Sequence, residues 1–237
     1  MSSLVRDGDT VEIRTENVET FNMEGPVNAE PEQVLSILSD FNSHASRSVR
    51  YRPSETPETQ VLREYSDVPS ITFFQSKILK KPVTRRNVEV QIVRHVVQIP
   101  VLGAWTDTIL YIFPATIPPR TEETGNVAAE LHWIQFDEET FNQIGGEWRE
   151  TCGIDISDED LFTNSNEDLY GFWRLDYRTA GGTQITYLNH IDPGSLGRFV
   201  IDNLVARLMP EMPKSLMVIR EALGLLPRTE DLESRAE

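Results

Sequence analysis

Apolar positions recur mostly at every second residue, the period of a strand with one buried face, and only twice at the three- and four-residue steps of a helix. Val11 to Val27 alternates loosely and stops before Asn28-Ala29-Glu30-Pro31. There a polar cap at Asn28 or a neighbour, a proline in the first turn and the stripe Val34, Leu35, Ile37, Leu38 and Phe41 predict a helix of about three turns. The middle of the chain is strand-rich: Arg47 to Arg52, Thr59 to Val68 and Ser70 to Leu79 are short β-favouring runs punctuated by Pro, Asp and Ser. Arg85 to Ile99 places Val88, Val90, Ile92 and Val96 on one face, opposite Glu89, Gln91 and His95. Further strands are expected at Asp107 to Pro114, Val127 to Phe136, Leu169 to Arg178 and Thr183 to Asp192, the last two joined at Gly181-Gly182, a two-residue hairpin signal.

The second helical pattern closes the chain. From Ser195 to Leu223, the residues Leu196, Phe199, Val200, Leu204, Leu208, Met212, Leu216, Ile219 and Leu223 keep helical spacing, with Pro210 and Pro213 expected to kink or divide it. At ~1.5 Å per residue it would run roughly 40 Å, too long to hide behind one hairpin. Nothing between the strands is long and helix-periodic, so meandering antiparallel pairs are favoured over βαβ crossovers. The expected class is α+β: a curved antiparallel β-sheet wrapped around a long C-terminal α-helix, with short helices after the first strand. Residues 1–227 read as a single domain and 228–237 as a frayed polar tail.

Composition agrees with a globular chain, 39% hydrophobic and 25% charged over 237 residues. The formal net charge of -16 removes the basic field that nucleic-acid binding requires. The start, Met1 to Thr10, has no apolar signal region, and no run approaches the ~18 apolar residues of a spanning helix, so a cytoplasmic location is the expectation. The lone Cys152 forms no internal disulfide.

Two passages carry a family resemblance. "ITYLNHIDPGSLGRFVIDNL", Ile185 to Leu204, is similar to the strand-to-helix passage of START-type lipid-transfer domains, within the helix-grip superfamily of polyketide cyclases and lipid carriers. "FFQSKILKKPVTRRNVEV" resembles an earlier strand pair of that family, with Arg86-Asn87 where Arg-Asp is usual, and Arg198 stands where a proline is expected. The resemblance covers most of residues 18 to 224. It implies a cavity between sheet and closing helix that binds, and by extension transports, a lipid or other apolar molecule. It also implies a gate at the hairpin holding Val101, Leu102 and Trp105, with transient membrane-surface contact; a turn folded onto the core is the equal alternative there. An alternative is a polyketide-type cyclase or aromatase using Tyr187, His190 or Arg174; another is a non-catalytic interaction module.

Candidate chemistry is sparse. His190 beside Asp192 could act as a general base, but no nucleophile motif accompanies it, and Asp192-Pro193-Gly194-Ser195 is equally good turn chemistry before a helix. His44, His95, His132 and His190 are scattered without metal-ligand spacing, so no metal and no cofactor is expected. The acidic run Asp155 to Asp168 lacks the sixth-position glycine of a calcium loop and reads as a solvated surface segment. Lys77, Lys80, Lys81, Arg85 and Arg86 form a basic cluster suited to anionic headgroups, or simply a solvated hairpin end. Tyr111, Trp133, Trp173 and Tyr187, with Phe199, either line the cavity that the resemblance implies or simply fill the core, and Arg174, and also Arg94, are candidates for a polar headgroup contact.

Overall fold

The computed structural model describes residues 2–6, 9–15, 20–41, 58–74, 82–99, 103–121, 125–144, 148, 159–192, 194 and 212–225. Among the described residues nine strands form one sheet: β1 (Ser2–Arg6), β2 (Asp9–Thr15), β3 (Thr20–Val27), β4 (Glu58–Phe74), β5 (Pro82–Ile99), β6 (Gly103–Pro114), β7 (Val127–Gln135), β8 (Asp168–Tyr177) and β9 (Thr183–Asp192). Their order across the sheet is β1-β2-β3-β9-β8-β7-β6-β5-β4, and every neighbouring pair is antiparallel. After β3 the chain reaches the far edge at β4 and then returns strand by strand until β9 pairs with β3. The α+β expectation is met, with an antiparallel sheet and few helices.

Helix α1 (Pro31–Ser39) starts two residues later than Asn28 would place it: Glu30 is the cap, and its backbone N–H donates to the Gln33 side chain at 3.0 Å. The helix packs across β7 and β8, burying Val34 and Leu38. Helix α2 (Glu138–Gln143) is capped by Asp137, which accepts the Thr140 N–H at 2.7 Å. A 3-10 turn follows at Glu159–Phe162. Helix α3 (Met212–Ala222) lies against β3 and α1, and Arg220 donates to the Pro26 carbonyl at 2.6 Å. Pro213 lies within α3, and Pro210 lies outside the described residues. The expected helical stretch 195–211, the strand at 47–52 and the tail lie outside the described residues.

Several expectations need correction. The single strand predicted over Val11 to Val27 is two, β2 and β3, with β1 beyond them. The two runs from Thr59 to Leu79 are, up to Phe74, one strand, β4. Register shifts at Val61/Arg63 and Tyr65/Val68 absorb the Asp-Val-Pro punctuation, with Asp67 at φ 56° taking up the kink. The β8–β9 loop spans Arg178 to Gly182 rather than two residues, closed by Arg178 N–H donating to the Gly182 carbonyl at 3.1 Å.

Across β3 to β9 both faces of the sheet carry buried clusters. Helices α1 and α3 share a buried cluster with Met23, Val93, Ile109, Tyr111, Trp133, Trp173 and Ile185 on one face. On the other face Phe141, Ile144, Trp148 and Leu161 pack against Val90, Ile92, Leu110, Ile112 and Ile134. The unbroken apolar run Ile109 to Phe113 in β6 is the residue-level reason, since a strand buried on both sides has no polar alternation. Within the acidic run Asp155 to Asp168, read as a solvated segment, Leu161 is core of the second face, joined there by Phe141 and Ile144 from the same insertion, residues 137–168, while 149–158 lies outside the described residues. Likewise the "polar" face of β5 is buried farther along, at Val93 and His95.

Candidate functional site

Strand pairing puts the chemistry-bearing residues on defined faces, because paired residues point the same way and neighbours along a strand alternate. One register row on the helix-facing side runs Glu64, Gln91, Tyr111, Trp133, Gly171, Asn189 across six strands. The adjacent row holds Leu131, Trp173, Tyr187 and Met23. Tyr111, Trp133, Trp173 and Tyr187 are thereby brought together. Tyr111 lies 6.3 Å from Trp133, Trp133 stacks on Tyr187 at 5.5 Å, and Tyr187 meets Trp173 at 4.5 Å, ring centroid to centroid. Phe41, two residues past the end of α1, closes the row with an edge contact to Tyr111 at 4.5 Å.

Gly171 explains how Trp133 reaches a strand beyond its neighbour. A Cβ at 171 would come closer than 3.0 Å to both the Trp133 ring and the Leu188 carbonyl. With only hydrogen there, the indole lies across β8 and its Nε1–H donates to Asn189 Oδ1 at 3.0 Å. Gly171 and Asn189 were not singled out from the sequence; the available signal was a glycine inside the strand pattern of "LYGFW".

A second polar group shares this side. His95 is buried, with Nδ1 at 3.3 Å from Thr59 Oγ1 and Nε2 at 3.1 Å from the Tyr111 hydroxyl. Asp107, its cross-strand partner on β6, is also buried. Burial pushes the Asp107 carboxyl up, against backbone N–H donors from Asn166 and Ser165 that pull it down. These bonds tie the end of the insertion to β6 where β7 has stopped. Trp105, expected at a gate, is half-buried within β6 and its side chain is among the donors to Asp107. Val101, Leu102 and Phe199 lie outside the described residues, as do Lys77, Lys80 and Lys81.

Arg174 stands apart from the aromatic row. It faces away from the helices, the alternation placing it opposite Trp173, and its guanidinium grips Asp176 with Nε at 2.9 Å from Oδ2 and Nη2 at 3.0 Å from Oδ1. The side-chain bond to Asp176 raises its pKa further, against some loss from burial. Arg94 has the same parity in β5, on the side of Ile92 rather than Val93. Nearby on that outer face, Arg85 pairs with Glu130 and donates from Nε to His132 Nε2 at 3.2 Å. Burial depresses the His132 pKa, and contact with His132 and the Arg85 charge hold Glu130 below the usual carboxylate range despite burial. His190 belongs to the outer face too, stacked on Tyr170 at 5.1 Å with Asp168 Oδ2 at 3.9 Å. Tyr187, His190 and Arg174, the trio a cyclase would use, are thus divided between two faces.

Two indole donors on the helix-facing side differ in state. Trp133 Nε1 is paired; Trp173 Nε1 is buried with no hydrogen-bond partner among the described residues. On the outer side Trp148 Nε1 is also unpartnered, packed 5.6 Å from Tyr65 within the second cluster. Among the described residues no group of three or more His, Cys, Asp or Glu is arranged to hold a metal ion, and no helix is long and apolar enough to cross a membrane.

No protein-family model matches the chain, and no curated protein matches its sequence. Among solved structures it is similar to a protein from Thermus thermophilus, TTHA0849, at 11% identity and a TM-score of 0.47, over 87% of this chain and 98% of that one. A Rhodobacter sphaeroides protein gives 12% and 0.43 over 91% and 99% of the two chains. Human STARD10 gives 11% and 0.41 over 90% and 71%. At this distance the functional reading rests on the chain's own residues.

Proposed function

We propose that this chain binds an apolar small molecule, lipid-like or ring-bearing, between the sheet and its C-terminal helical segment, in the manner of a START-type helix-grip domain spanning 1–227. The observation that carries the reading is the aromatic row Tyr111–Trp133–Tyr187–Trp173 under the helices, ending in a buried indole donor without a partner. A protein core tends to satisfy such donors, whereas a ligand site leaves them for its occupant. Burying ~400 Å² of hydrocarbon at ~25 cal/mol/Å² provides about 10 kcal/mol before association costs, enough for micromolar binding with few polar contacts. Transport of the bound molecule, with Val101, Leu102 and Trp105 at its gate, follows as an extension of this reading.

Native mass spectrometry of the purified protein, followed by solvent extraction and identification of the released molecule, tests the proposal. The expected result is a stoichiometric apolar adduct, or saturable binding of fluorescent fatty-acid or polycyclic probes. A clean mass with no probe bound at micromolar concentrations would overturn it.

A further inference from the structure

We infer that the Trp173 indole N–H is the polar contact that selects the ligand, so that the preferred occupant is a ring-bearing apolar molecule carrying a neutral acceptor oxygen. This rests on the apolar-ligand reading above and sharpens it.

Trp173 is 1% exposed, and its Nε1 has no acceptor among the described residues. An indole N–H donates and never accepts, so whatever completes it must bring a lone pair. The neighbouring sequence offers none from a side chain. Its register partners are Leu131 on β7 and Tyr187 on β9, and the residues two places along β8 on the same face are Gly171 and Leu175. Tyr187 meets Trp173 ring to ring, and the next helix-facing residue of β9 toward the turn is Ile185. Trp133 shows what a purely structural solution looks like in this sheet: an asparagine two residues beyond Tyr187 takes its N–H at 3.0 Å. No equivalent is supplied for Trp173.

The same neighbours fix the charge and shape of the acceptor. Leu131, Gly171, Leu175 and Tyr187 carry no cation, and Arg174 next along the strand is turned to the other face and held by Asp176. A carboxylate or phosphate at Trp173 would be buried without a counter-charge, which a neutral carbonyl, ether or hydroxyl oxygen avoids. The flat faces of Trp133, Tyr187 and Trp173 favour rings over a flexible chain, because offset and edge contacts between rings add to simple area burial. Trp148, the other unpartnered indole, packs in the outer-face cluster beside Tyr65, without such a row.

The test uses 9-fluorenone and fluorene, which share size and planarity but differ by one carbonyl oxygen, together with a dansyl fatty acid as an apolar probe lacking that ring system. Binding of each to the full chain is measured by equilibrium dialysis, for the wild type and Trp173→Phe, which keeps an aromatic ring and removes the donor. The wild type is expected to prefer fluorenone by about tenfold, the upper end for one neutral hydrogen bond, with the preference gone in Trp173→Phe. Equal binding of the pair by the wild type, as would follow if a fixed water already holds the N–H, overturns the inference. So does a preference that persists in the variant. If the dansyl probe binds in either case, the apolar site stands without the selective contact. If none of the three binds the folded wild type, both readings fall. Should Trp173→Phe not fold, the indole proton resonances of the wild type decide, assigned through the phenylalanine variants of Trp105, Trp133 and Trp148. The Trp173 signal should move downfield with fluorenone and not with fluorene, and no movement counts against the inference.

Discussion

The indole of Trp133 on β7 and the amide of Asn189 on β9 are joined at 3.0 Å although β8 runs between them. Two strand spacings amount to ~9.6 Å, a span that a side chain bridges only by lying flat across the strand between. Gly171, paired to both residues in the same row, is the position that permits it. The hydrogen bond then fixes the ring against Tyr187 and gives the helix-facing side its continuous aromatic surface.

Gly171→Ala should therefore be among the most damaging small substitutions in the sheet. The glycine is extended, so its value here is space rather than backbone freedom, and an added methyl meets both the indole and the Leu188 carbonyl. Overpacking of this kind costs about 1–3 kcal/mol. Urea unfolding should show a loss in that range with little change in slope. A difference under about 0.5 kcal/mol would mean that the ring does not cross at residue 171.

A double-mutant cycle on Trp133 and Asn189 measures the bond itself. Asn189→Leu leaves a buried indole donor unpaired, at a cost of about 1–3 kcal/mol, whereas in a Trp133→Phe background the same change should be nearly neutral. The expected coupling is about 1 kcal/mol or more, and additive effects would remove Asn189 from its positioning role.

How far these features are legible in the chain depends on what sets them. Strand existence and the α1 stripe follow from period and punctuation, which are local. The long β4 reads as two strands because Asp67-Val68-Pro69 is good turn chemistry, and the tertiary pairing with β5 overrides it through bulges. Tyr111, Trp133, Trp173 and Tyr187 share a face because β6 to β9 pair in a register that alternation alone does not specify. The face that Arg174 takes is not legible in the sequence for the related reason that, in a sheet covered on both sides, a charge inside a strand marks neither face. His95 goes the same way, since its burial depends on Phe41 and Tyr111, which come from other elements.

Stability should fall on mild acidification, with His132 as a principal cause. Its folded pKa is lowered by burial from an ordinary 6.5, opposed only in part by Glu130. The unfolded chain therefore takes up a proton first. The contribution is complete above about pH 6.5 and is lost as pH drops toward the depressed folded value, by about 1.4 kcal/mol for each unit of depression. Glu130, also lowered in the fold, adds a loss of the same sign below its ordinary 4.5. Asp107, raised by burial, works oppositely and gains as pH falls through its folded pKa. Chemical unfolding at pH 7.5, 6.5, 5.5 and 5 should show the decline in the wild type. His132→Phe, which keeps a ring against Phe73 and Phe172, should flatten it in that window. An unchanged slope would place the titration elsewhere.

The division of the sheet into two faces makes the last prediction, which separates a ligand site under the helices from one on the outer surface. Arg174 and Tyr187 come from the paired strands β8 and β9, yet they point to opposite sides. If the ligand lies against the aromatic row, Arg174→Ala should leave binding of an apolar probe within about twofold of wild type. It should also cost no more than about 1 kcal/mol of stability, because the Arg174 side chain is 41% exposed although that of Asp176 is 18% exposed. Tyr187→Leu, which deletes the ring between the two indoles while keeping an apolar side chain, should weaken the same probe by roughly tenfold, in line with ring contacts worth ~0.5–1.5 kcal/mol beyond area. Fluorescence titration of the two variants gives both numbers directly. The reverse pattern, with Arg174→Ala abolishing binding and Tyr187→Leu neutral, would put the occupant on the outer face beside Arg85 and Glu130, where charge rather than ring stacking would choose it.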